Sequence, residues 1–184
     1  MIKRIITFCI GLIILGGAAQ AQDAPSPSPS GKKVLVAYFS ATGTTAAAAK
    51  ELAAATGGTL HAITPAQPYS EADLDWRDKT SRCYVEMHNP ASRPALKGGV
   101  ANMAEYDTVF IGFPIWWNTY PSIIATFIEA HDLKGKKLIP FATSGGSGIS
   151  NSGTMLKKAY PTLEWKPGML LNGMGASEIR AKLK

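Results

Sequence analysis

Between Phe39 and Ala46 the chain reads Ser40-Ala41-Thr42-Gly43-Thr44-Thr45, a cluster of hydroxyl side chains around one glycine. Where such a cluster opens a helix it forms an anion cradle. The hydroxyls donate, the first backbone N–H groups are free, and the helix dipole favours negative charge. The loop holds no lysine, so the P-loop pattern fails, and so does the G-x-G-x-x-G dinucleotide pattern. Taken alone, these residues fit an ordinary helix cap at least as well. Two further stretches change the balance. Pro114-Ile115-Trp116-Trp117-Asn118-Thr119-Tyr120-Pro121 offers large flat aromatics, and Ser144-Gly145-Gly146-Ser147-Gly148 offers close backbone approach. A flat ring bearing a phosphate tail would use all three.

The elements that must position these loops are legible from pattern. Lys33–Phe39 and Thr108–Phe113 are short apolar runs rich in β-branched and aromatic residues, as buried strands are, and Lys137–Thr143 is a third such run. Thr59–Ile63 is a further strand and Met169–Leu171 a fifth. Thr44–Ala55, dominated by alanine, is a strong helix former ended by Gly57-Gly58. Helices are also expected over Pro121–His131, Ser150–Tyr160 and Ser177–Leu183. Strands alternating with helices imply a parallel, doubly wound sheet covered on both faces. Ligands of such sheets bind beyond the carboxyl ends of the strands, where all three loops fall. Two adjacent tryptophans in an extended loop cannot both enter one core, so one is expected to face the ligand. The interval from Thr64 to Glu105 exceeds a simple crossover. Ser70-Glu71-Ala72-Asp73 resembles a capping box, predicting a helix through about Met87 that Asn89-Pro90 ends. This insert is expected to lie over the ligand edge of the sheet.

Other chemistries fit poorly. Gly145-Gly146-Ser147-Gly148-Ile149 does not satisfy the G-x-S-x-G nucleophile pattern. His61, His88 and His131 lack zinc-ligand spacing. The lysines are scattered, with no nucleic-acid motif around them.

The N-terminus reads MIKRIITFCIGLIILGGAAQA. Lys3 and Arg4 precede an apolar stretch from Ile5 to Leu15, and Ala19-Gln20-Ala21 forms an A-x-A site. That three-part pattern predicts a signal peptide over residues 1–21. The apolar stretch is short of the roughly 20 residues a span needs, so no stable membrane insertion is expected after cleavage. No twin arginine precedes it, which favours export of an unfolded chain. Residues 22–31, including the Asp23–Ser30 run DAPSPSPS, read as a Pro/Ser tether, and residues 32–184 as one domain. Cleavage would remove two of the 19 basic residues and none of the 13 acidic ones, lowering the net charge from +6 to +4. It would also leave Cys83 as the single cysteine, which excludes an intrachain disulfide.

Over about residues 32–182 the sequence resembles the flavodoxin family, in particular a branch with Trp-Trp in its second loop. Ser40 to Thr45 is similar to that family's phosphate loop, S/T-x-T-G-x-T. Phe113-Pro114-Ile115-Trp116-Trp117 resembles its ring-binding loop, Thr143 to Gly148 the loop at the ring's other edge, and Tyr106-Asp107 matches before the third strand. The resemblance implies a flavodoxin-like three-layer α/β/α fold with a five-stranded parallel sheet, and flavin mononucleotide (FMN) as cofactor. It implies phosphate contacts from Ser40, Thr42, Gly43, Thr44 and Thr45. Ring contacts are implied for Pro114, Ile115, Trp116, Trp117 and Asn118; strand-end alternation leaves one tryptophan facing the ligand and slightly favours Trp117 over Trp116. Ser144, Gly145, Gly146 and Ser147 would meet the polar edge. Asn118 stands where this branch carries glycine, and asparagine tolerates positive φ better than other non-glycines. The basic charge also departs from the acidic carriers of the family. The leading expectation is an electron-carrying flavoprotein outside the cytoplasm, partnered by a redox protein of acidic surface or a small quinone. The alternatives are an FMN-dependent NAD(P)H:quinone or small-molecule reductase, and a binding module of this fold without flavin. The oligomeric state is left open.

Overall fold

The computed structural model describes residues 33–184. The signal-peptide and tether expectations concern segments outside the described residues. Six strands and five helices follow one another: β1 (Lys33–Tyr38), α1 (Thr44–Thr56), β2 (Thr59–Ala62), α2 (Arg82–His88), β3 (Tyr106–Pro114), α3 (Ser122–Glu129), β4 (Lys137–Thr143), α4 (Ser150–Ala159), β5 (Glu164–Trp165), β6 (Met169–Leu170) and α5 (Ala176–Lys182). The sheet is parallel throughout, in the order β2-β1-β3-β4-β5, with β6 also on β4.

Strand alternation divides the core into two faces. Leu35, Ala37 and Phe39, with Val109, Ile111 and Phe113, pack against Ile123, Ile124 and Phe127 of α3 and Leu156 of α4. Val36, Phe110 and Phe141 face the other way, onto Ala48, Ala49 and Leu52 of α1 and Ile179 of α5. Period-two strands thus give a three-layer sandwich. Gly112 has a packing role in β3. A Cβ there would lie 2.1 Å from Cζ of Phe141, whose ring fills that space. Helix α1 ends as expected, with Gly57 at φ +70° and its N–H donating to Ala53 O.

Two expectations need correction. The fifth strand is divided. β5 pairs with Lys137–Leu138 and β6 with Phe141–Ala142, so four residue steps on the edge oppose three on β4. That is a one-residue bulge, placed where Pro167 has no N–H to give to the ladder. The long helix over Ser70–Met87 is replaced by a single 3₁₀ turn at Ala72–Leu74 and the short α2. The cap itself forms, with Ser70 N–H donating to Asp73 Oδ2 and Asp73 N–H to Ser70 Oγ. Helix growth then fails because Asp75 Oδ1 accepts from Arg77 N–H and Asp78 Oδ1 from Thr80 N–H. These are local turns that compete with the helical ladder. Ser81 restarts the helix by accepting from Tyr84 N–H.

Candidate functional site

The site is built at the carboxyl ends of β1, β3 and β4. In the first loop, Gly43 N–H donates to Ser40 Oγ at 3.1 Å, which closes the turn into α1. Gly43 has φ +93°, a backbone conformation that requires glycine although the space around it is open. Ala47 is the first residue to donate back along α1, to Gly43 O at 3.0 Å. The N–H groups of Thr44, Thr45 and Ala46 therefore have no partner among the described residues, as at any helix start. The side chains of Thr42 and Thr44 are exposed beside them. Thr45 is different. It is buried, and its hydroxyl shares a hydrogen bond with the buried Thr143 hydroxyl at 2.8 Å, tying α1 to the end of β4.

The second loop is a two-residue hairpin. Trp116 N–H donates to Thr119 O and Thr119 N–H to Trp116 O, at 3.0 and 2.9 Å. Its central residues have positive φ, +43° at Trp117 and +61° at Asn118, as in a type I′ turn. Asparagine suits that position, whereas a bulky L-residue there costs on the order of 1–2 kcal/mol. Asn151 Nδ2 secures the turn by donating to Asn118 O at 2.8 Å. Trp116 turns inward, edge-on to Phe39 and Tyr69 with ring centroids 5.6 and 5.7 Å away. Trp117 is 39% exposed and stands edge-on to Tyr84 and His88, themselves stacked at 3.8 Å.

In the third loop the Ser144 hydroxyl accepts from the N–H groups of Gly146 and Ser147, so it shapes the loop. Ser144 N–H donates to Asn172 Oδ1 at 3.0 Å and Asn172 Nδ2 donates to Ser144 O at 2.6 Å. This reciprocal pair pins the loop to the segment after β6.

Two adjoining cavities run along this edge. One, of about 300 Å³, lies between the first and third loops against Thr42, Thr44, Thr45, Thr143, Ser144 and Asn172. The other, of about 420 Å³, is bounded by Pro114, Ile115, Trp116 and Trp117 on one side and Leu74, Trp76 and Cys83 of the insert on the other. Ala41, Thr42, Pro114, Ile115 and Trp116 line both, so together they make one groove, and no charged residue lines either part. The insert does lie over the ligand edge. It is held there by Tyr69, whose hydroxyl donates to Glu86 Oε2. Arg82 pairs with Glu86 at 2.6 Å and lies 4.0 Å over the Tyr69 ring. Burial, reinforced by Glu86, raises the Tyr69 pKa, so the phenol remains a donor.

Of the residues singled out from sequence, Thr42, Thr44, Thr45, Pro114, Ile115, Trp116, Trp117, Ser144 and Gly145 line the groove. Ser40, Gly43, Asn118, Gly146 and Ser147 shape its loops without lining either cavity. Both tryptophans line the 420 Å³ cavity, Trp116 while packing inward on Phe39 and Tyr69 and Trp117 from the left-handed turn. Sequence reasoning missed Asn172, Asn151, Leu74 and Trp76, named Thr143 only as the start of the third loop, and gave Cys83 no place in the site. Thr143 ends β4, Asn172 lies just past β6 and Asn151 is in α4, at the same sheet edge, and that placement is the signal for them. Among the described residues no group of His, Cys, Asp or Glu is arranged to hold a metal ion.

The flavodoxin family matches the chain over residues 33–183. The chain belongs to the flavodoxin family. A candidate flavoprotein from Bacteroides eggerthii is 61% identical, with a TM-score of 0.82, over 83% of this chain and 96% of its own. A second, from Bacteroides uniformis, is 55% identical, with a TM-score of 0.81, over 84% and 99%. A Lactobacillus acidophilus flavoprotein solved in complex with FMN shares the fold at 19% identity, with a TM-score of 0.64, over 84% and 100%. No curated protein matches the chain. The groove of this flavodoxin-family protein fits FMN. It joins unbonded N–H groups and free hydroxyls at a helix start to an apolar cavity walled by two tryptophans.

Proposed function

We propose that the protein binds FMN in this groove and transfers electrons outside the cytoplasm. The observation that carries the reading is the convergence, at one sheet edge, of an uncharged anion cradle with an aromatic-walled cavity. When bound, FMN supplies the one- and two-electron chemistry, and the protein supplies binding, orientation and electrostatics. The N–H groups of Thr44, Thr45 and Ala46, with the Thr42 and Thr44 hydroxyls, hold the phosphate. No lysine or arginine lines the cradle, so its charge is met by hydrogen-bond donors and the α1 dipole. Trp116 and Trp117 exclude water from the ring, and the third loop offers the backbone N–H of Gly145. Such a protein needs no nucleophile or general base of its own.

Export is supported by the Lys3-to-Ala21 pattern, and the formal charge of +4 that would remain favours an acidic redox protein as partner. The test is the visible spectrum of protein taken from the exported fraction, followed by electron exchange with acidic and basic redox proteins across ionic strength. The reading expects flavin bands and exchange with the acidic protein that slows as salt rises. Retention inside the cell, or faster low-salt exchange with the basic protein, would contradict it.

A further inference from the structure

Between α4 and the divided edge strand lies a cavity of about 290 Å³ that shares no residue with the three-loop groove. Its helical wall is Ser150, Gly153, Thr154 and Lys157, the i, i+3, i+4, i+7 spacing of one helix face. Pro140 of β4 and Trp165 of β5 also line it, as do Lys166, Pro167 and Gly168, the residues between β5 and β6.

Gly153 decides how this cavity is read. Glycine inside a helix costs stability relative to alanine, and neither of the usual reasons for it applies here. Its φ is not positive, and a Cβ at this position would meet nothing within 4 Å. The protein makes no use of the missing side chain, and the space it leaves opens on the cavity. The rest of the lining selects what fits there. Pro140, Trp165 and Pro167 offer flat apolar surfaces, with Trp165 itself buried at 8% exposure. Lys157 and Lys166 bring positive charge, and no acidic residue lines the cavity. Lys157 has no ion pair among the described residues. Lys166 pairs with Glu164 at 2.8 Å, but both side chains are well exposed, so an incoming anion competes with a weak surface pair. The volume is at the lower end for ligand sites and suits a small ring system.

We propose that this cavity is a second ligand site, which takes a small aromatic monocarboxylate. The ring lies against Trp165 in the space beside Gly153, and the carboxylate meets Lys157 and Lys166. The inference is independent of the FMN reading.

The test is calorimetric titration of the FMN-saturated protein, its flavin groove filled, with naphthoate and with the uncharged naphthamide. Wild type, Gly153→Leu and Lys157→Gln are compared. Leucine fills the space and raises helix propensity, so the urea midpoint of Gly153→Leu should hold or rise, which confirms an intact fold. Naphthoate is expected to saturate at about one per chain. Gly153→Leu should weaken it at least about tenfold and Lys157→Gln about fivefold, with FMN affinity changed less than about threefold in both. Naphthamide should bind the wild type at least about fivefold more weakly than naphthoate. Absence of naphthoate binding, indifference to Gly153→Leu or to Lys157→Gln, or equal affinity for the amide overturns the proposal. Naphthoate that binds only when FMN is left out would occupy the flavin groove, which also overturns it. If the wild type takes up no FMN, that reading falls alone, and the same titrations of the flavin-free protein decide this one through Gly153→Leu.

Discussion

Three neighbouring threonines in the first loop should respond differently to mutation, and Thr45 gives the sharpest case. Its hydroxyl and that of Thr143 lie 2.8 Å apart, 1% and 3% exposed as residues, across the junction of α1 and β4. Thr45→Val keeps the shape but leaves the Thr143 hydroxyl buried with its partner gone, a cost of about 1–3 kcal/mol. Thr143→Val strands Thr45 in the same way and should cost a similar amount. The double variant removes both hydroxyls, so neither is left unpaired, and its loss should fall well below the sum of the two singles. The expected coupling is about 1 kcal/mol or more, within the range for residues in direct contact. Urea unfolding of the flavin-free protein, fitted for all four members of the cycle, measures it. Single variants as stable as wild type, or a strictly additive double, would show that the hydroxyl pair does not tie α1 to β4.

Thr42→Ala and Thr44→Ala should each leave stability within about 0.5 kcal/mol, because both side chains are exposed. Each should weaken FMN roughly ten- to a hundredfold and riboflavin hardly at all, as loss of a hydrogen bond to a charged acceptor predicts. Equal losses for the two ligands would place these hydroxyls away from the phosphate. Trp117→Ala should lower FMN affinity with little loss of stability, whereas Trp116→Ala should lower both, since Trp116 also packs on Phe39 and Tyr69; FMN titration and urea unfolding separate the two. Burial, aided by repulsion from His131, lowers the His61 pKa below its ordinary value near 6.5. The unfolded chain then binds the proton more readily, so this contribution is full above that value and is lost as pH falls through the folded-state pKa. Unfolding curves from pH 7.5 down to 5 should show less loss in His61→Gln than in wild type.

The sequence made the β1–loop–α1 unit readable because three local signals agree there: an apolar run, a hydroxyl-rich turn with one glycine, and an alanine-rich helix closed by Gly57. The positions of the second and third loops followed from the strands before them. Residues 70–87 mislead because a genuine cap at Ser70 reads as the start of a long helix. Asp75, Asp78 and Ser81 carried the opposing signal, each accepting from a backbone N–H nearby. The divided edge strand was hidden because a bulge depends on how β4 and its neighbour register, which Pro167 hints at without fixing. Thr143, Asn172 and Asn151 reach the site through contacts spanning 28 to 98 residues, and no local pattern encodes such pairings. Asn118 is the reverse case. Its tolerance of positive φ was readable from residue type, and the turn uses it at +61°.

The central claim is that the three-loop groove holds FMN by its phosphate and its ring together. Titration of the purified, folded protein with FMN, followed by flavin fluorescence and calorimetry and repeated with riboflavin, tests it most directly. The account predicts saturation at about one FMN per chain and weaker binding of riboflavin by at least about tenfold, the worth of one or more charge-assisted hydrogen bonds. Folded protein that takes up no FMN, or that binds riboflavin as tightly, would contradict it.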